Sequence, residues 1–192
     1  MFMYDVIAVS NRALCNDFLG QLKKINGEGI PVILREKDLS EREYETLAKQ
    51  IMAFCPDVIL HTFINTARKL GCKRIHLPMN IFRTADLTEF DVVGASIHSA
   101  QEAAEAQNIG ASYVTAGHIF ATDCKKGVEP RGLDFLRNVC EAVTIPVFAI
   151  GGMTPENAPS AIDAGAAGIC IMSGFMRCED VGKYMEKVRK IY

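Results

Sequence analysis

Three of the four histidines in this sequence, His61, His98 and His118, stand at or near the ends of short apolar runs rich in β-branched residues. Imidazole titrates near neutrality and exchanges protons during turnover, so a histidine at such an end is a candidate general acid or base. A histidine among apolar neighbours is as readily structural. Two other segments have the composition of an anion site. Ala149-Ile150-Gly151-Gly152 is followed by Thr154-Pro155-Glu156, and Ile171-Met172 by Ser173-Gly174. Glycine lets backbone amides approach phosphate oxygens closely, and unpaired amides at a helix start favour an anion. One Gly-Gly alone would mark only a tight turn; the two segments together favour phosphate.

Cations complete the set. Arg35, in Leu34-Arg35-Glu36-Lys37-Asp38, either clamps a carboxylate or phosphate in bidentate fashion or belongs to a solvated charge cluster before a helix. The segment Ala121-Thr122-Asp123-Cys124-Lys125-Lys126-Gly127 reads as an anion-steering lid or as an exposed connector, with Thr122 and Lys125 as its contact candidates. Cys124 beside two lysines would have a lowered pKa, but the sequence sets no histidine next to it. The histidines are scattered singly over separate runs with no carboxylate joining them. A three-histidine metal site fits a barrel mouth geometrically, but it is not expected here.

These residues need a scaffold that gathers the run ends in one place. The runs are eight: 4–10, 30–36, 57–62, 74–78, 92–98, 113–120, 145–152 and 167–174. Helical patterns lie between them, most clearly at 40–54, 99–108, 131–142, 155–164 and 177–190. Ser40 with Glu43, and Ser99 with Glu102, have capping-box spacing. Thr154 precedes a proline suited to the first helical position, and Gly110 and Gly165 stand where left-handed caps belong. Alternation of helices with continuously apolar strands predicts a parallel sheet covered on both faces. Eight repeats predict one compact (β/α)8 TIM barrel over residues 1–192, with minimal loops, since about 250 residues is usual. An open flavodoxin-like sheet would leave three strands over.

Composition narrows the partners. With a net charge of -2 and no basic tract, a nucleic-acid interface is not expected. The first ten residues form a strand rather than a signal peptide, and no apolar run approaches the ~18 residues needed to span a bilayer. Seven cysteines without a CxxC pair suit a reducing, cytoplasmic setting.

The stretch 117–127 with Arg131-Gly132 closely resembles the thiazole tautomerases, the TenI-type members of the thiamine phosphate synthase superfamily. So do Ala149–Pro155, Met172-Ser173-Gly174, Ser96-Ile97-His98-Ser99 and Leu34-Arg35-Glu36. The resemblance spans essentially the whole chain and is weakest at 60–85. It implies aromatisation of a carboxythiazole phosphate tautomer by proton transfer, without a cofactor, in a protein that tends to dimerise. It assigns general acid and base work to His118. Gly151, Gly152, Ser173 and Gly174 would hold the phosphate, and Arg35 and Lys125 are candidates for the carboxylate. Ser96, His98, Met172 and His61 join the ligand contacts; at His61 this family often has asparagine. The rival is the synthase, which couples a pyrimidine diphosphate to a thiazole phosphate with magnesium. Its pattern has Asn-Asp after strand 3 and aspartate after strand 4, where this chain has His61-Thr62 and Leu77-Pro78-Met79-Asn80. A non-catalytic regulator or phosphate binder is the third reading, and it would bind product without turnover.

Overall fold

The computed structural model describes residues 5–122 and 127–189. Eight strands pair in parallel in chain order: β1 Val6–Val9, β2 Val32–Leu34, β3 Ile59–His61, β4 Arg74–Pro78, β5 Val92–Ile97, β6 Tyr113–Gly117, β7 Val147–Ile150 and β8 Gly168–Ile171. β1 also pairs with β8, through Val6 with Ile169 and Ala8 with Ile171, so the sheet closes into the expected barrel. Side chains alternate across each strand. In β1, Val6 and Ala8 join the outer core beneath the helices, whereas Ile7 and Val9 join an inner core with Ile33, Ile59, Tyr113, Phe148 and Cys170. Continued two residues at a time, that alternation turns Arg35, His61, His76, Ser96, Thr115, Ile150 and Met172 toward the barrel axis.

The described residues contain helices α1 Phe18–Gly27, α2 Glu41–Met52, α3 Ile64–Lys69, α4 Met79–Phe82, α5 Ala100–Asn108, α6 Gly132–Ala142, α7 Ala158–Asp163, α8 Ser173–Arg177 and α9 Val181–Arg189. The capping box on α2 is complete, with Ser40 accepting from Glu43 N and Glu43 accepting from Ser40 N. The box on α5 is half made. Ser99 Oγ accepts from Glu102 N, but the Glu102 carboxylate takes the amide of His98 at 2.8 Å instead. The helix expected from Pro155 starts later. Thr154 N donates to Asn157 Oδ1 at 2.9 Å, which folds 155–157 into a turn, and Pro159 occupies the first turn of α7. Gly110 and Gly165 take φ of 100° behind α5 and α7, as left-handed caps require. No helix among the described residues is long and apolar enough to cross a membrane.

Candidate active site

At the carboxyl ends of the strands lies a cavity of about 260 Å3. Ten of the twelve residues singled out in the sequence line it: Arg35, His61, Ser96, His98, His118, Thr122, Gly151, Gly152, Met172 and Ser173. Lys125 lies outside the described residues, as do Asp123, Cys124 and Lys126. Gly174 does not line the cavity. A Cβ there would overlap the Tyr184 hydroxyl and lie 2.6 Å from its ring, so this glycine admits Tyr184 against α8. Sequence reasoning missed Lys37, Thr115, Pro78, Ile150 and Cys170 in the lining. Alternation was the signal that could have found them, because each shares the inward parity of its strand.

His118 follows β6 across a cis peptide bond from Gly117. The next residues extend the β6–β7 ladder: Ile119 N donates to Ile150 O, and Phe120 N to Gly151 O, each at 3.0 Å. The His118 carbonyl accepts from Arg131 N at 2.9 Å. The side chain is 4% exposed. Its Nε2 lies 3.3 Å from Val128 O, and its buried Nδ1 has no hydrogen-bond partner among the described residues. A buried imidazole nitrogen left unpaired costs about 1–3 kcal/mol. An unpaired buried polar atom of this kind is rare in a folded protein, and His118 is also a residue of the cavity wall.

The two glycines beside it serve the protein's own backbone first. Gly151 has φ 98° and Gly152 φ 66°. A Cβ on Gly151 would overlap His118 Cβ and lie 2.7 Å from its Cα; one on Gly152 would overlap the Ala121 carbonyl oxygen. The β7 loop therefore touches the His118 loop with nothing but hydrogens between them. The expected phosphate contact is compatible with this, since Gly151, Gly152 and Ser173, the first residue of α8, all line the cavity.

Across the mouth, Arg35 and Lys37 bring positive charge. His61 is 5% exposed, with Nδ1 2.6 Å from Thr62 Oγ1 and its ring stacked on His76 at 5.7 Å. Burial first, then His76, Arg35 and Lys37, hold its pKa down to about 2, so it is neutral at pH 7. Thr62 is the one non-glycine residue at positive φ among the described residues, at 70°. A β-branched residue there is strained, and strain of this kind collects at functional sites. His98 is exposed, and its Nδ1 lies 3.4 Å from Gly117 O.

The described lining contains no aspartate or glutamate. Glu36 abuts an adjoining pocket, but its carboxylate accepts from Ser10 Oγ at 2.6 Å and from Arg12 N at 3.1 Å. Magnesium seeks carboxylate and phosphate oxygens. A wall of arginine, lysine, histidine and hydroxyls does not fit that ion. It suits an anionic organic ligand with protons to exchange.

The profile of the thiamine monophosphate synthase family matches residues 6–175. A thiamine-phosphate synthase of Pyrococcus abyssi is 32% identical over 192 residues, covering 95% of this chain and 92% of the relative. One from Clostridium novyi is 32% identical over 167 residues, covering 82% and 81%. The solved thiamine phosphate pyrophosphorylase of Pyrococcus furiosus superposes with a TM-score of 0.83 at 29% identity, covering 97% and 94%. A 3-hexulose-6-phosphate synthase, at TM-score 0.71 and 18% identity, shares the fold alone. The relatives' names support a transferase better than the isomerase that the TenI-like motifs imply. Sequence and fold together place the chain in the thiamine monophosphate synthase family, whose enzymes serve thiamine biosynthesis.

Proposed function

We propose that this chain is a thiazole phosphate tautomerase. The substrate is a non-aromatic carboxythiazole phosphate. One proton leaves the ring carbon that bears the carboxylate, one is added to the exocyclic alkylidene carbon, and the ring becomes aromatic. No electrons are exchanged and no group is transferred. The observation that carries this reading is the buried, unpartnered Nδ1 of His118 in a cavity wall that has no described carboxylate. His118 would shuttle the proton. Arg35 and Lys37 would hold the carboxylate, and the backbone at Gly151, Gly152 and Ser173 the phosphate. The expected result for His118→Gln is turnover lower by about 10²–10⁴-fold, with retained affinity for the thiazole phosphate product. Unchanged turnover would overturn the assignment.

A second reading, the coupling of a pyrimidine diphosphate to a thiazole phosphate, is favoured by the names of the relatives. One coupled assay with and without magnesium separates the two. Robust magnesium-dependent formation of thiamine phosphate would establish the second and refute the first.

A further inference from the structure

Beneath the mouth, the inward residues of β4, β5 and β6 form a polar column in an otherwise apolar barrel. Tyr113 and His76 are buried, and the Tyr113 hydroxyl lies 2.9 Å from His76 Nδ1. His76 Nε2 lies 2.8 Å from Ser96 Oγ. Thr115 Oγ1 donates to the same serine oxygen at 3.3 Å. The lower end is fixed by packing, with Tyr113 edge-on to Phe148. A Cβ at Gly94 would overlap both the tyrosine ring and His76 Nδ1, so only glycine leaves room for the pair. Ser96 and Thr115 line the cavity; His76 and Tyr113 do not.

The polarity of this column follows from its chemistry. Burial, and secondarily Arg35, hold His76 down to about 3, and burial raises the Tyr113 phenol well above its usual value, so both are neutral at pH 7. A neutral imidazole carries one N–H and one accepting nitrogen. Three hydroxyls flank the ring, Tyr113 at Nδ1 and Ser96 and, more distantly at 3.4 Å, Thr115 at Nε2; of these the phenol is the strongest acid and hence the best donor. The favoured arrangement runs from the phenol O–H to Nδ1, and from Nε2–H to Ser96 Oγ. A hydroxyl oxygen has two acceptor sites and one proton. In Ser96 both acceptor sites are then filled within the barrel, by His76 from the layer beneath and by Thr115 from its own layer. Only the proton remains for the mouth.

We propose that Tyr113 and His76 are positioning residues that make Ser96 a one-way hydrogen-bond donor to an anionic oxygen of the bound ligand. This deepens the reading of the mouth as a site for an anionic thiazole phosphate and rests on it. In that role Ser96 rejects ligands that present a donor at this point and rewards those that present a carboxylate or phosphoryl oxygen.

The test starts with the ligand-free protein, so it does not depend on the substrate. In 15N-histidine NMR, His76 is expected to show a pyridine-like Nδ1 and a pyrrole-like Nε2, unchanged from pH 5 to 8. The opposite tautomer, or an imidazolium, would overturn the proposal. Affinity for the thiazole phosphate product is then measured in Tyr113→Phe, Ser96→Ala and the double variant. Each single change should weaken binding by about tenfold or more, the range of a hydrogen bond to a charged group. The double variant should be no weaker than Ser96→Ala, because Tyr113 acts only through the serine. Additive losses would refute the relay. If Tyr113→Phe does not fold, the wild-type tautomer decides. If the tautomer is as assigned but wild type binds no thiazole phosphate, the relay stands and the proposed function falls.

Discussion

Replacing Gly151 by alanine adds one methyl group at the point where the β7 loop meets His118. The backbone there has φ 98°, a region that costs an L-residue about 1–2 kcal/mol. The new Cβ would lie 2.7 Å from His118 Cα and overlap its Cβ. Carbon atoms sit comfortably at about 3.5–4.0 Å, so one partner must move by about 1 Å. His118 cannot yield by rotating its side chain, because the obstructed atoms are Cα and Cβ. Its neighbours are also tied by the 3.0 Å bonds of Ile119 N and Phe120 N across to β7. Overpacking of this kind costs about 1–3 kcal/mol. The sum with the dihedral term is about 2–5 kcal/mol, or a melting temperature lower by roughly 4–20 °C for a chain of this size. A 1 Å misplacement of a reacting group costs about 10²-fold in rate. Gly151→Ala should therefore lose about a hundredfold in turnover, alongside a measurable thermal shift in calorimetry. If turnover holds while phosphate affinity alone collapses, Gly151 serves the ligand rather than the His118 loop, and this reasoning fails.

The remaining predictions concern charge. His61 and His76 are held neutral in the fold, at about 2 and about 3, whereas in the unfolded chain they protonate near 6.5. The unfolded state thus binds more protons, and stability falls with pH below about 6.5 by up to about 1.4 kcal/mol per pH unit for each ring. Urea titrations from pH 7 to pH 4 should show that slope, and His76→Gln should flatten it by about one proton; equal slopes in the two proteins would contradict the neutral assignment. Arg35→Ala should weaken binding of a carboxylated thiazole phosphate by about tenfold or more while leaving the decarboxylated analogue nearly unaffected, as calorimetric titration would show. Glu36→Ala should destabilise by about 2–3 kcal/mol, because it strips partners from the buried Ser10 hydroxyl and Arg12 amide. Asp38→Ala should do far less, since that carboxylate is exposed beside Arg12; chemical denaturation compares the two.

All eight strands were legible because each is an apolar run buried on both faces, and the barrel followed from their number. The mouth was legible where chemistry marks a strand end, as at His118, Gly151 and Ser173. His76 and Tyr113 were not. Within a strand, a histidine reads as inward or outward only once the parity of its neighbours is known, and parity needs Ile75 and Leu77 to be seen packing outward. Helices α3 and α4 lack side-chain caps, so no start signal marked them. The turn at 155–157 misled because Thr154-Pro155 has the composition of a helix start, but the backbone instead loops around Asn157. The reading of Gly151 and Gly174 as ligand glycines was incomplete for a different reason. What a missing Cβ makes room for depends on a segment far away in the chain, the His118 loop in one case and Tyr184 in the other.

Closure of the sheet by β1 against β8 also sets a timetable for synthesis. Val6–Val9 meets its partner Gly168–Ile171 only after nearly the whole barrel has been translated. At about 5–20 residues per second, the first strand waits about 8–30 s with one edge unpaired. During that wait its four apolar residues offer a template for any other extended chain. The earliest strand to leave the ribosome is the last to be enclosed, so β1 is where a nascent barrel of this kind most needs a chaperone.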